Sequence, residues 1–394
     1  MQNQKKILLI LPAFTYGGTV FSTLNMISYL QKGNYDVNVL AMTHQGPVKE
    51  YYKNIKVLPE NLILSGLVGR IGKEFSFTRK VLFLFIKLLH HFFGLFNVNI
   101  KRYIYRIIAQ RIQKNNKYDY VASCQEFDAT DFASCFENTK RVAWFRTEFR
   151  ILNDIVPPKK LKKIKKSYYL FDKIVCVSQT TRDDFCKYFD DIKDKVVAIH
   201  NIQNTENIQC KAKEKIDDAF DKSFFNILSV GRIAPQKRFY EIPRIAHELR
   251  TRNNLFRWYI IGDATQIEEW DKLQKQIKQY KVSDCVICMG SKLNPYPYIV
   301  SADLLVTPSY YEACPRVVIE AKILKVPNVC ADFSSAKEFV TNNEDGFVDT
   351  IENLSNPISL MISDKNEYKR IKNNCESFKM NNNEIYNQLL NLFS

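Results

Sequence analysis

Two acidic residues, Glu312 and Glu320, stand eight positions apart in the stretch SYYEACPRVVIEAKILKVPNV, which spans residues 309–329. Between them lies a Cys-Pro-Arg corner, followed by an apolar run of helical character. Pro315 suits the first helical position, because its missing N–H costs nothing there. The free N–H groups of the first helical turn could then bind phosphate or sugar hydroxyls. At this socket, we expect Glu312 to contact a sugar and Glu320 to contact a ribose.

A second group of candidate residues follows the strand-like segment FFNILSVGR. This strand ends at Gly231, and Arg232 and Lys237 come soon after it. A guanidinium fork and a lysine ammonium are suited to neutralise a diphosphate leaving group when no metal does so. A solvated basic turn is the alternative interpretation. Near the N-terminus, Gly17 and Gly18 would let backbone N–H groups approach a ligand at the start of the first helix.

Several other kinds of site lack their sequence signatures. The chain has no G-x-G-x-x-G and no G-x-S-x-G motif, and GLVGRIGKE has neither the spacing nor the Ser or Thr of a P-loop. No two Asp residues have D-x-D spacing, and the five His residues are not spaced as metal ligands. Cys285 and Cys288 form a C-x-x-C inside a segment typical of a buried strand, and no second pair completes a zinc site. The sequence therefore predicts no metal site.

Length and composition favour a folded protein of two domains. The chain has 394 residues, of which 46% are hydrophobic and 25% are charged, and it is too long for one ordinary core. Ten Cys without tight pairing, and an N-terminus without a signal peptide, indicate the reducing environment of the cytoplasm.

The net charge of +15 lies entirely in the N-terminal half of the chain. Residues 1–205 contain 32 Lys and Arg against 17 Asp and Glu, whereas residues 206–394 contain 25 of each. This asymmetry predicts that the first half binds a polyanion or an anionic membrane surface. No nucleic-acid recognition motif accompanies the charge, so nucleic acid is not an expected partner.

Strand-like and helical segments alternate along the chain. Short apolar runs recur between helical patterns from KKILLILPAF to KVVAIHN, and again from FFNILSVGR to VPNVCAD, on either side of a polar segment that begins near residue 205. This alternation predicts an α/β fold with two consecutive doubly wound parallel sheets. Because ligands bind at the carboxyl ends of such strands, we expect the active site in a cleft between two domains.

Residues 61–115 depart from this alternation. They contain the run VLFLFIKLLHHFFGLF, which is short for a membrane span and carries Lys87, His90 and His91. One interpretation is a pair of buried helices in the N-terminal domain. The other is an interfacial amphipathic element whose basic residues face anionic lipid headgroups. The KKLKKIKK run at residues 159–166 adds six positive charges to the same half of the chain.

Several segments of the C-terminal half match known motifs. EACPRVVIEA has E-x7-E spacing, ILSVGRIAPQKRF has a strand–GR–x4–K loop, and YIIGDA has a strand followed by a Gly turn. Together they resemble the retaining GT-B glycosyltransferases of the large family 4, most strongly over residues 224–350. Over residues 1–205 the resemblance rests on LPAFTYGGTVFSTLNMISYL and VVAIHNIQN. It implies two Rossmann-like domains facing across a cleft, and metal-independent transfer from a nucleotide-sugar with retention of anomeric configuration.

The resemblance also implies roles for individual residues. The departing diphosphate would be stabilised by Arg232, Lys237 and helix amides. Glu312 would bind the sugar. The diphosphate would assist the acceptor hydroxyl, which attacks on the front face of the sugar. The expected donor-binding residues are Gly231, Arg232, Lys237, Gly262, Ser291, Lys292, Glu312, Cys314, Pro315, Arg316, Val317 and Glu320. The expected acceptor-binding residues are Gly17, Gly18 and Arg146. Two places depart from the family pattern. Many relatives carry a His shortly after a Trp in the N-terminal domain, and here Arg146 stands in that neighbourhood. Ala-Cys-Pro stands where the commoner corner is Gly-Phe-Gly.

These expectations define a domain assignment and a function. We predict an acceptor-binding domain at 1–205, a nucleotide-sugar-binding domain at 206–375, and a helix at 376–394 that crosses back to the N-terminal domain. The predicted reaction moves a sugar from a UDP- or GDP-linked donor, without a cofactor, to a lipid-linked or cell-surface polysaccharide. The predicted location is the inner face of the cytoplasmic membrane. The alternatives are a soluble glucan or small-molecule acceptor, and a non-catalytic module that binds anionic polymer or membrane.

Overall fold

A computed structural model of the protein describes residues 4–15, 17–69, 71–72, 75–95, 100–216, 218 and 220–394, without the side chains of 93–95. The chain divides into two compact units. The first unit comprises the described residues up to Gln203 together with Asn382–Ser394, and the second unit comprises Asn204–Asn381.

The first unit is a seven-stranded parallel sheet covered by helices. Its elements before the second unit are β1 (Lys6–Leu11), α1 (Gly18–Lys32), β2 (Asp36–Ala41), β3 (Lys56–Val57), α2 (Leu62–Val68), α3 (Phe77–Leu95), α4 (Ile100–Asn116), β4 (Tyr120–Ser123), α5 (Asp128–Ala133), β5 (Lys140–Phe145), α6 (Phe149–Ile155), α7 (Pro158–Tyr168), β6 (Lys173–Cys176), α8 (Gln179–Tyr188) and β7 (Val196–Ala198). The strand order is β3-β2-β1-β4-β5-β6-β7, and all neighbouring pairs are parallel.

The second unit is a six-stranded parallel sheet of the same kind. Its elements are α9 (Thr205–Lys211), β8 (Phe225–Val230), α10 (Ile242–Thr251), β9 (Phe256–Ile261), α11 (Ile267–Gln279), β10 (Val286–Cys288), α12 (Tyr296–Ser301), β11 (Leu304–Thr307), α13 (Arg316–Ile323), β12 (Asn328–Ala331), α14 (Ala336–Phe339), β13 (Gly346–Asp349), α15 (Ser355–Ser363) and α16 (Lys365–Ser377). The strand order is β10-β9-β8-β11-β12-β13, again parallel throughout.

The chain then returns to the first unit through α17 (Asn382–Leu392). Phe393, just after this helix, lies against the rings of Tyr35 and Tyr120 and stacks on Trp144, with ring centroids 6.2 Å apart in the last pair. The Asn382 side chain donates to the Gln203 carbonyl and accepts from the Gln203 N–H. Aromatic packing and hydrogen bonds therefore hold the C-terminal helix against the first unit.

The predicted α/β fold with two doubly wound parallel sheets is confirmed. Both sheets carry helices on each face, which is why their strands are nearly continuous apolar runs. Residues Ile7–Leu11 of β1, for example, are all 0% exposed. The sequence did not predict β3, which has only two residues, or β13, which begins at Gly346. A Cβ at Gly346 would lie 2.1 Å from the carbonyl oxygen of Asn328, so glycine permits this strand to pair closely with β12.

Residues 61–115 form α2, α3 and α4, with residues 70, 73–74 and 96–99 of this segment outside the described residues. The interpretation as a pair of buried helices is wrong for α3. Phe83 and Ile86 of this helix are buried, but the large apolar side chains on its other faces are exposed. Tyr105 and Ile108 of α4 are buried in the core of the unit, as is Leu64 of α2. Among the helices of the described residues, none combines the length and the apolar character needed to cross a bilayer.

Candidate active site

The strand order of the second unit brings together two loops that are far apart in sequence. β8 ends at Val230 and is followed by Gly231, whereas β11 ends at Thr307 and is followed by the loop to α13. These two strands are neighbours at the point where the strand order reverses. Doubly wound sheets bind ligands outside the carboxyl ends of their strands at this point. The predicted Arg232–Lys237 loop and Glu312 therefore meet where this fold places a ligand.

Lys237 and Glu312 form an ion pair in this site. Lys237 Nζ lies 2.5 Å from Glu312 Oε1, and the two side chains are 19% and 11% exposed. The Ser309 hydroxyl donates to the same carboxylate oxygen at 2.9 Å, and the Ser335 hydroxyl donates to the backbone carbonyl of Glu312 at 2.6 Å. Their partial burial strengthens the attraction between the two charges. The sequence predicted both residues in the site but did not predict that they bind each other.

Two glycines allow the strand ends to approach each other. A Cβ at Gly262 would lie 1.9 Å from the Gly231 carbonyl oxygen, and Gly262 has φ +148°. A Cβ at Gly231 would lie 3.1 Å from Lys237 Cε. Gly262 is therefore required for the close contact between the ends of β8 and β9, and Gly231 leaves room for the lysine stem.

Helix α13 begins one residue later than predicted. Pro315 is the N-cap with ψ 89°, which is outside the helical range, so the predicted first helical position is wrong by one residue. The Val318 and Ile319 N–H groups donate to the Pro315 carbonyl. Arg316 and Val317 are the first two residues of the helix and precede these donors. Their N–H groups lie at the positive end of the helix dipole.

Glu320 is held from two sides. Arg316 Nη2 lies 2.7 Å from Glu320 Oε1, and the Tyr296 hydroxyl donates to the same oxygen at 3.3 Å. Glu320 is 6% exposed, and burial raises the pKa of Tyr296 well above its usual range. Sequence reasoning missed Tyr296, because no short motif connects it with a residue 24 positions later. Both contacts are to Glu320 Oε1, so they also fix the orientation of the second carboxylate oxygen.

Ser291 and Lys292 lie beyond the end of β10 and are held by two aspartates. The Ser291 N–H donates to Asp263 Oδ1 at 3.0 Å. Lys292 Nζ lies 2.5 Å from Asp218 Oδ2, and Tyr298 also donates a hydrogen bond to Asp218. These bonds from Lys292 and Tyr298 lower the pKa of the Asp218 carboxyl. Asp218, 74 positions before Lys292, gave no sequence signal.

The remaining predicted donor residues differ in exposure. Arg232 is exposed and makes no ion pair within the part of the chain that the structure describes. Cys314 is half-buried at the corner before α13, and Val317 is 8% exposed. The loop ends thus present one ion-paired ammonium, one exposed guanidinium and the start of a helix, a combination suited to binding an anion.

The predicted acceptor residues lie in the first unit at the carboxyl edge of its sheet. Gly17 is the N-cap of α1, and a Cβ added there would meet no atom within 4 Å. Gly18 is the first residue of α1. Arg146 Nη1 donates to Ser22 Oγ of the same helix at 2.9 Å and to Asn201 Oδ1 at 2.6 Å. The structure therefore places Arg146 in contact with the same helix that begins at the two glycines.

Arg146 also connects the ends of two strands. Its Nε donates to the Cys124 carbonyl at 2.7 Å, and its backbone N–H donates to the Glu126 carboxylate. Glu126 is 6% exposed, and burial raises the pKa of its carboxyl. Sequence reasoning missed Glu126, whose position after β4 becomes informative only once β4 and β5 are known to be neighbours. In this arrangement the guanidinium connects the loop after β4 with α1 and with Asn201.

Comparison with protein families identifies both halves of the chain. Residues 16–207 match the model Glycosyltransferase Family 4, and residues 211–378 match the model Glycosyl transferases group 1. The chain belongs to glycosyltransferase family 4, whose members retain the anomeric configuration of the transferred sugar.

Named relatives come from bacterial glycan biosynthesis. The chain is 28% identical over 210 residues to N-acetylgalactosamine-N,N'-diacetylbacillosaminyl-diphospho-undecaprenol 4-alpha-N-acetylgalactosaminyltransferase from Campylobacter jejuni, covering 52% of this chain and 55% of that protein. It is 26% identical over 193 residues to the amylovoran biosynthesis glycosyltransferase AmsD from Erwinia amylovora, covering 48% and 51%. The chain thus spans about half the length of these curated relatives.

Solved structures match over nearly the whole chain. HepE from Anabaena in complex with UDP and glucose has a TM-score of 0.73 at 16% identity, and the match covers 99% of each chain. A variant of TarM from S. aureus in complex with fondaparinux, alpha-GlcNAc-glycerol and UDP has a TM-score of 0.73 at 13% identity, covering 99% of this chain and 100% of that one. At such identities the likeness establishes the GT-B fold.

Proposed function

We propose that the protein transfers a sugar, with retention of configuration, from a UDP- or GDP-linked donor to a hydroxyl of a lipid-linked or cell-surface polysaccharide. The observation that carries this proposal is the Lys237–Glu312 ion pair beside the start of α13, at the reversal of the second sheet. An ammonium next to a helix N-terminus suits the diphosphate of a nucleotide-sugar, and a carboxylate next to that ammonium suits the hydroxyls of its sugar.

The candidate donor-site residues of the second unit have distinct roles in this reaction. Lys237, Arg232 and the first-turn amides of α13 neutralise the charge that develops on the departing diphosphate. Glu312 accepts hydrogen bonds from the sugar, and Lys237 orients this carboxylate. Glu320, held on one oxygen by Arg316 and Tyr296, accepts the ribose hydroxyls with its other oxygen. The diphosphate oxygen assists the acceptor hydroxyl on the same face from which it leaves, which retains the configuration.

The acceptor class is supported by the relatives and by the charge of the first unit. The Campylobacter relative is named for a diphospho-undecaprenol acceptor, and the Erwinia relative is named for biosynthesis of the polysaccharide amylovoran. All of the net positive charge lies in residues 1–205. A lipid diphosphate is an anionic acceptor at a membrane surface. We therefore expect the acceptor-binding half of the chain to be basic, whereas the donor-binding half can be neutral.

We also propose that the protein works at the inner face of the cytoplasmic membrane as a peripheral protein. Each Lys or Arg near an anionic surface contributes about 1 kcal/mol, and the attraction fades within a Debye length. Flotation with vesicles tests this location. We expect recovery with anionic vesicles that falls steeply with added salt. Equal recovery on neutral and anionic vesicles, or none on either, would contradict the proposed location.

Donor hydrolysis tests the proposed reaction. The protein is incubated with a panel of UDP- and GDP-sugars, and release of the nucleoside diphosphate is followed in parallel with thermal-shift measurements on UDP and GDP. We expect one nucleotide to raise the melting temperature by mass action and the matching donor to be hydrolysed slowly. Nucleotide binding without any turnover, or neither of the two, would favour a non-catalytic module. Turnover that rises with a soluble glucan would favour a soluble acceptor.

A further inference from the structure

Exposed apolar side chains of the first unit are concentrated in one part of the chain. Among the described residues, 23 large apolar side chains are exposed, and 13 of them lie between Leu62 and Ile107. Eight of these belong to α3 alone: Phe77, Val81, Leu82, Leu84, Phe85, Leu88, Leu89 and Phe92. Large exposed apolar surfaces mark contact with a partner or a membrane.

The exposed residues of α3 form a continuous stripe. Phe77, Val81, Leu84 and Leu88 follow one another at spacings of four, three and four residues, and Phe85 lies beside them. Their exposed fractions are 81%, 49%, 52%, 58% and 57% in the order Phe77, Val81, Leu84, Leu88 and Phe85. At 1.5 Å per residue the helix is about 28 Å long. A stripe of this length on one side of a helix suits a flat apolar surface.

The opposite face of α3 is anchored to the first unit, so the direction of the stripe is fixed. Phe83 and Ile86 point into the unit, and a Cβ at Gly66 of α2 would lie 2.6 Å from Ile86 Cδ1, so this contact depends on glycine. Arg79 forms an ion pair with Glu60 at 2.6 Å. With these anchors in place, the helix cannot rotate its apolar stripe into the core without losing packed contacts and a partly buried ion pair.

Basic residues lie beside the stripe. Lys80 and Lys87 are seven positions apart on one flank of α3, and the helix contains no acidic residue. The basic helix α4 packs against α3. On α7 the apolar side chains at 161, 164 and 168 are buried, whereas four of its six lysines are exposed.

We infer that α3 is a membrane-docking helix, which lies in the plane of an anionic bilayer with its apolar stripe inserted at the level of the headgroups and its lysines against the anionic lipid. This inference rests on the proposed membrane location and identifies the surface that makes the contact. Interfacial helices have this combination of an apolar face and flanking basic residues. A second copy of the chain is a less suitable partner, because contact between two identical stripes would bring two strongly basic units together.

The anchoring of α3 gives this docking a consequence for the reaction. Glu60, which pairs with Arg79 of α3, also accepts a hydrogen bond from the N–H of His44, just after β2. β2 is the neighbour of β1, and Gly17 follows the carboxyl end of β1. The start of the docking helix is therefore tied to the same sheet edge as the predicted acceptor residues. Docking through α3 brings that edge close to the bilayer, where a lipid-linked acceptor must be reached.

The test compares two double substitutions in the full chain by vesicle flotation. Phe85→Ser/Leu88→Ser removes two exposed side chains of the stripe. Leu255→Ser/Ile267→Ser is the matched control, because these residues are 62% and 64% exposed but belong to the second unit. With vesicles of equimolar phosphatidylcholine and phosphatidylglycerol, we expect the first variant to lose at least tenfold in bound-to-free ratio and the control to bind like the unchanged protein. Unchanged binding of the stripe variant would overturn the inference.

Two further measurements separate the other outcomes. Phe85→Trp should show more quenching of tryptophan fluorescence by doxyl-labelled lipid than the unchanged protein, which has three Trp. Equal quenching of the two proteins on bound vesicles would contradict insertion. If sedimentation equilibrium instead shows a dimer that Phe85→Ser/Leu88→Ser dissociates, a second copy covers the stripe and the docking inference is wrong. Donor hydrolysis should be equal in both double variants. Its absence in the unchanged protein would refute the proposed reaction without affecting the flotation result.

Discussion

Replacing Lys237 with Met gives the sharpest test of the candidate active site. The substitution keeps the apolar stem and removes the ammonium, which lies 2.5 Å from Glu312 Oε1. Glu312, with only 11% of its side chain exposed, would then keep only the hydrogen bond from Ser309 that the structure shows at its carboxylate. Breaking a fully buried pair costs 3–5 kcal/mol, and partial exposure reduces this, so we expect unfolding stability to fall by about 2 kcal/mol.

The effect on the reaction should be larger than the effect on folding. Loss of one preorganised charge donor raises the barrier by roughly 2–4 kcal/mol, which is about 30-fold to 10³-fold in rate. The assay is the initial rate of nucleoside diphosphate release from the donor identified by the panel, at a temperature well below melting. Arg232→Ala should lower the rate by a similar factor with little change in stability, because Arg232 is exposed and makes no ion pair among the described residues.

A matched control separates the catalytic effect from the structural one. Lys322 of α13 forms the same kind of pair with Asp345, at 2.6 Å with side chains 10% and 14% exposed. Lys322→Met should therefore lose comparable stability and retain most of the rate. The double variant Lys237→Met/Glu312→Gln should regain stability, because no carboxylate is stranded, but it should not regain the rate. If Lys322→Met lost as much rate as Lys237→Met, or if Lys237→Met kept its rate within about threefold, the assigned role of Lys237 would be refuted.

Four further substitutions test individual contacts. Glu312→Gln should abolish transfer while leaving affinity for the nucleoside diphosphate nearly unchanged in calorimetry, because its contact is to the sugar; near-normal turnover would show that the assignment is wrong. Glu320→Ala should weaken nucleotide binding itself. Arg316→Leu should weaken it by a smaller factor, because Tyr296 still holds the carboxylate. Equal nucleotide affinities in the unchanged protein and these two variants would contradict the ribose contact. Gly262→Ala should reduce soluble yield or melting temperature markedly, since its Cβ would lie 1.9 Å from a backbone carbonyl oxygen; a melting temperature within a degree or two of the parent would be inconsistent with this geometry.

The sequence predicted where the candidate residues of the second unit lie because these residues follow strands directly. Gly231 and Glu312 come after apolar runs whose pattern is typical of buried strands. Parallel strands have their carboxyl ends at the same edge of the sheet. A helix after Pro315 was equally predictable, and the error of one residue reflects a single ψ angle. Short motifs thus predicted which candidate residues lie together at this sheet edge.

Contacts between distant segments could not be predicted in this way. The Lys237–Glu312 pair joins residues 75 positions apart and exists because β8 and β11 are neighbours, which is a property of strand order. Asp218 reaches Lys292 from a polar segment without any motif. For α3 the apolar pattern predicted a helix but not its orientation, because apolar residues cover both the face that packs on the unit and the face that is exposed.

Electrostatic design differs between the two units. In the second unit Lys292 pairs with Asp218, Arg316 with Glu320 and Lys237 with Glu312, so most of the predicted donor-site cations already have a carboxylate partner. Recognition of the donor must then depend on short-range hydrogen bonds, the α13 N-terminus and the exposed charge of Arg232. In the first unit the lysines of α7 lie on an exposed helix face, and residues 1–205 carry the whole net charge. Long-range attraction is therefore available in the unit that, in the proposed function, binds an acceptor on an anionic surface.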